Sequence, residues 1–114
     1  MQFVRIYADK EGRSHFEDIE VSFESDPRTE KSPFQAATGV VLHRAPAGRV
    51  IDWHTAPRRQ YVVTLSGEWE IECGDGTVRR FRPGDVMLAE DQTGNGHISR
   101  VVGSEPHVFM TVHL

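Results

Sequence analysis

An imidazole and an amide that could meet a metal ion or a polar ligand stand close together in mid-chain. The stretch reads Gly48-Arg-Val-Ile-Asp-Trp-His54-Thr-Ala56-Pro-Arg-Arg-Gln60-Tyr-Val-Val-Thr-Leu-Ser-Gly67. Two strand-like runs, 50–54 and 60–65, are joined by a short polar link containing Pro57. Side chains alternate faces along a strand, so His54 and Ala56 share one face, and so do Gln60, Val62 and Thr64. Paired as a hairpin, the two runs would aim His54 and Gln60 into one interior. An imidazole nitrogen converging with a carbonyl oxygen is how a barrel builds a metal or ligand site.

This stretch resembles the first motif of the cupin family: a glycine, five residues, His-x-His, three or four residues, a glutamate, six residues and a glycine. Gly48, His54, Gln60 and Gly67 fall on its positions, with Ala56 for the second histidine and Gln60 for the glutamate. Downstream, Gly76-Thr-Val-Arg-Arg-Phe-Arg-Pro83-Gly84-Asp85 and His97 resemble the second motif, with its Pro-Gly-Asp turn and final ligand histidine. The likeness runs over about residues 38–103. It implies an all-β chain folded as a double-stranded β-helix, the jelly-roll cupin barrel. The departures fall on metal positions, so they touch the chemistry and leave the fold alone.

His54 and His97 lead as ligands, with Gln60 third, and the cofactor implied is a divalent transition metal (Zn, Fe, Ni or Mn). A neutral amide brings no charge to offset the cation, so this set would hold metal more weakly than the full four-ligand one. The alternative is a metal-free pocket in which the histidines bond to each other, to Gln60 or to water. His43 and His113 could complete the set if their strands turn them inward. Arg59, with Arg58, flanks the motif turn, where a guanidinium could meet an anionic ligand at the barrel mouth or stay solvated. Trp69 suits a pocket wall, as do Trp53, Tyr61, Phe81 and Met87, although such aromatics more often form core or dimer interface. Asp91 and Glu90 precede His97 in a polar loop, where they could be general bases or late metal ligands, although loop acids are more often solvated. Cys73, at a strand end, reads as a structural thiol.

The elements that must position these groups are short strands bounded by Gly, Pro, Asn or Asp. Residues 1–8 alternate as a strand, 9–14 form a polar turn, and 19–23 read as a second strand. Residues 24–33, with two prolines, read as an exposed loop or arm. A strand over 38–44 leads to the Ala-Pro-Ala-Gly turn and the motif runs. Asp75-Gly76 supplies the positive φ of a tight hairpin between 68–73 and 77–81, which sets Arg79, Arg80 and Arg82 against Glu68, Glu70 and Glu72. Strands over 86–89, 97–102 and 107–113 close the series. No helix-period pattern runs ten residues, and nine or ten closely spaced strands argue a sandwich or barrel. The expected organisation is one cupin domain over 1–114, with N-terminal strands and loop over 1–33 and the barrel over about 34–114.

Net charge −4 gives no basic footprint, so neither nucleic acid nor an anionic membrane is an expected partner. Hydrophobic residues are 38% of the chain, a modest core that burial in a homodimer interface would help. A single cysteine excludes an intrachain disulfide and, with no signal-like start, fits the cytoplasm. The function expected is a small cupin barrel that binds a small molecule around His54, Gln60 and His97, with Trp69 and Arg59 in the ligand site. The alternative is a metal-dependent enzyme, a dioxygenase or isomerase, acting on a small acidic or polar metabolite. A metal-free epimerase- or lyase-like enzyme, with His54 or His97 as acid–base group, is a third reading.

Overall fold

A computed structural model describes residues 1–114. Twelve strands and no helix make up the regular structure, so no helix is long and apolar enough to cross a membrane. The strands are β1 (Phe3–Ala8), β2 (Ser14–Asp18), β3 (Glu24–Ser25), β4 (Glu30–Lys31), β5 (Gly39–Ala45), β6 (Val50–His54), β7 (Gln60–Ser66), β8 (Glu68–Glu72), β9 (Val78–Phe81), β10 (Val86–Ala89), β11 (His97–Val102) and β12 (His107–His113).

Ten of them form a six-stranded sheet, β2-β1-β10-β7-β12-β5, and a four-stranded sheet, β6-β11-β8-β9. Period-two alternation decides which faces meet. Gln60, Val62 and Thr64 are the buried side of β7, Trp69 and Ile71 that of β8, and His107, Phe109 and Thr111 that of β12. A single apolar cluster draws Val4, Ile6, Val62, Met87 and Phe109 from the first sheet and Trp69, Ile71, Phe81 and Val101 from the second. The core therefore lies between the sheets.

The Asp75-Gly76 hairpin forms as its chemistry dictates. Gly76 takes φ 87°, and Asp75 Oδ1 accepts from Thr77 N at 2.9 Å. Across it, Arg80 pairs with Glu70 at 2.9 Å and Arg82 with Glu68 at 3.4 Å. Arg79 leaves this ladder for Asp18 at 2.6 Å, and Glu72 pairs with Arg100 at 2.9 Å instead.

Two sequence expectations are corrected. Residues 19–23 are not a strand; the partner of β1 is β2, beginning at Ser14. The turn before it is tight because Gly12 takes φ 83° and Asp9 Oδ1 accepts from Glu11 N and Arg13 N, so the return strand starts at once. Nor do the runs 50–54 and 60–65 pair with each other. Both edges of β7 are taken by β10 and β12, while β6 pairs with β11, so the Pro57 link crosses from one sheet to the other. The 24–33 segment is exposed as expected and carries a miniature hairpin, β3 with β4.

Candidate functional site

His54 and Gln60 reach a common interior from opposite sheets. A cavity of about 130 Å³ lies between them, lined also by His97, Trp69, Arg49 and Ser99. His54 ends β6, and His97 begins β11 directly opposite it in register, with ring centroids 4.5 Å apart. Gln60 begins β7, and its side chain is buried. The three leading candidates thus converge although the hairpin assumed to bring two of them together does not exist.

The two imidazoles are oriented through the same ring nitrogen. His54 Nδ1 donates to the Asp52 carbonyl at 2.7 Å, because a carbonyl can only accept. His97 Nδ1 donates to Asp91 Oδ2 at 2.5 Å. Each ring is left with Nε2 as its free position, which in the neutral imidazole carries a lone pair for a guest. Burial pushes the His54 imidazole below its ordinary value, which favours that neutral form. Asp91 is not solvated: it is completely buried beside His97.

Gly96 sets this geometry. It takes φ 73°, and a Cβ there would overlap the His54 carbonyl oxygen. Ser14 Oγ holds the same residue by donating to the Gly96 carbonyl at 2.7 Å and accepts from Gly74 N at 2.8 Å.

The other candidates fall elsewhere. Trp69 is in the cavity wall, packed on Phe81 and His107. Arg59 is outside the lining; its Nε binds Glu90 at 2.7 Å, on a carboxylate that also holds Arg5 at 2.6 Å. His43 stacks on Phe109 at 4.6 Å and meets Thr111 Oγ1 at 3.2 Å, and His113 meets the same hydroxyl, so neither joins the site. Arg49, which the sequence reading passed over, does line the cavity. The only signal for it was its place one residue after the motif glycine.

The donor set does not fit a resident transition metal. Catalytic metal sites use three or more imidazole, thiolate or carboxylate ligands, and no group of three such side chains is placed to hold a metal ion together. Here two imidazoles and an amide share their wall with the Arg49 guanidinium, whose charge opposes a cation.

No family model and no curated protein matches the chain. Solved structures do. A conserved Klebsiella pneumoniae protein with a double-stranded β-helix domain is 32% identical, covering 64% of this chain and 63% of its own, with TM-score 0.51. The present chain therefore spans less than two thirds of that protein. The cupin domain of Schizosaccharomyces pombe Cnp3 matches at 16% identity over 88% and 72%, with TM-score 0.52. A Streptococcus pyogenes protein of unknown function matches at 18% over 72% and 68%, with TM-score 0.50. Fold and matches together define an all-β double-stranded β-helix. The chain has the fold of these double-stranded β-helix and cupin proteins.

Proposed function

We propose that this protein binds a small polar molecule in the cavity around His54, Gln60 and His97. One observation carries the reading: two neighbouring imidazoles, both fixed through Nδ1 with Nε2 free, line the same cavity as Gln60, whose buried Oε1 is unpartnered. Buried polar atoms are normally satisfied, so this arrangement is built around a guest with hydrogen-bonding groups. The cavity admits only a few heavy atoms, far less than the few hundred Å³ of a drug-sized site.

A second reading follows from the His97–Asp91 pair. A buried carboxylate on Nδ1 fixes the tautomer and supports Nε2 as a proton acceptor, so His97 would serve as general base toward a bound molecule.

Imidazole ¹⁵N spectra test the binding reading, because they report each ring nitrogen separately. His54 and His97 are expected to carry the proton on Nδ1. Their Nε2 signals should shift on adding members of a panel of small alcohols, amides and carboxylates, and stay put with one equivalent of Zn²⁺. Nε2 signals that no panel member moves would sink the proposal; a zinc-induced shift would restore the metal centre.

A further inference from the structure

Five buried side-chain polar atoms lack a hydrogen-bond partner: Arg49 Nε, Gln60 Oε1, Trp69 Nε1, Asp91 Oδ1 and His107 Nδ1. Arg49, Gln60 and Trp69 line the cavity. Asp91 holds His97, and His107 stacks on Trp69 at 5.0 Å, so the remaining two orphans lie immediately behind the same wall. An unsatisfied buried polar group is destabilising, and scattered defects would not gather around one small space.

The charge in that wall is one-sided. Arg49 takes part in none of the ion pairs that hold Arg5, Arg59, Arg79, Arg80, Arg82 and Arg100. No Asp or Glu lines the cavity, and the Asp91 carboxylate is held by His97 Nδ1 behind the lining. An unpaired guanidinium is a fork shaped for a carboxylate. The groups opposite have the reverse character. Free Nε2 atoms and the Gln60 carbonyl accept hydrogen bonds, so they call for a donor on the guest. That donor is a hydroxyl rather than an ammonium, since a second cation beside Arg49 in so small a space would be repelled.

Resting on the reading of this cavity as a ligand site, we infer that its ligand class is a small hydroxycarboxylate. The carboxylate sits on Arg49, and the hydroxyl donates to the His54, His97 and Gln60 acceptors. Arg49 is thereby the specificity-determining residue.

Calorimetric titration of the full chain at matched ionic strength with glycolate, acetate and ethylene glycol tests this. Glycolate is expected to bind best, with acetate and ethylene glycol each weaker by about tenfold or more, since each leaves one set of groups unpaired. Arg49→Gln should weaken glycolate by about tenfold or more and shrink its advantage over ethylene glycol. Arg49→Lys, which keeps the charge without the fork, should fall between and serves if the first variant melts early. If ethylene glycol matches glycolate, or Arg49→Gln binds glycolate normally, the carboxylate assignment falls while the cavity remains a ligand site. If none of the three binds, the hydroxycarboxylate is overturned, and the imidazole spectra with the other panel members decide the site itself.

Discussion

His107 shows what burial does to a single side chain. It is fully buried between Trp69 and Phe109, its Nε2 meets Thr64 Oγ1 at 3.0 Å, and desolvation, with Arg49 nearby, pushes its pKa down to about 4. The unfolded chain takes up this proton near the ordinary 6.5, whereas the folded one resists until about 4. The stability that His107 contributes as a neutral ring is therefore complete above pH 6.5 and is lost as the pH falls toward 4. At about 1.4 kcal/mol per pH unit, the loss from this group is about 3 kcal/mol. Urea melts at pH 7, 5.5 and 4.5 should show the decline, and His107→Leu should flatten it. An unchanged slope in that variant would mean another group governs. The sequence shows His107 only as the first residue of the 107–113 strand, because burial of an imidazole depends on what packs over it. Asp91 misled for the same reason: a loop acid looks solvated until the fold closes around it.

At the scale of elements, the loop ahead of β11 is what brings the histidines together. Gly96 lies against the His54 carbonyl in the left-handed region, so a side chain meets both strain and overlap. Gly96→Ala should cost about 3 kcal/mol or more in a chemical melt, and the variant that does fold should lose the paired ¹⁵N signature of His54 and His97. A variant as stable as the parent, with both imidazole signals in place, would show that the loop does not set the site. The alternating strands and the Asp75-Gly76 turn were legible because they depend on near neighbours. The pairing of β6 with β11 was not, since neither the period of a strand nor its turn residues name a distant partner.

The whole molecule leaves two apolar edges open. β5 ends the six-stranded sheet and β6 ends the four-stranded one. Val40, Leu42, Val50 and Trp53 stand on these edges with 58%, 68%, 60% and 47% of their surface exposed. Unpaired strand edges with apolar side chains favour association, and we propose that a second copy covers them in a homodimer. Light scattering at micromolar concentration should give twice the mass of one chain, and Leu42→Glu with Trp53→Glu should halve it. A wild-type monomer would refute the dimer.

The sequence by itself determined the strand periodicity and the punctuating turns, which follow from local rules: faces alternate by two and glycine permits positive φ. His54, Gln60 and His97 stood out as candidates through the resemblance of their motifs. Only the tertiary structure decided that His54 and Gln60 meet across two sheets, that Arg49 rather than Arg59 enters the cavity, and that Asp91 is buried behind His97. Those outcomes depend on long-range pairing and on which charges find partners. Arg59 finds Glu90 and leaves the cavity to Arg49, a competition that spacing along the chain does not encode.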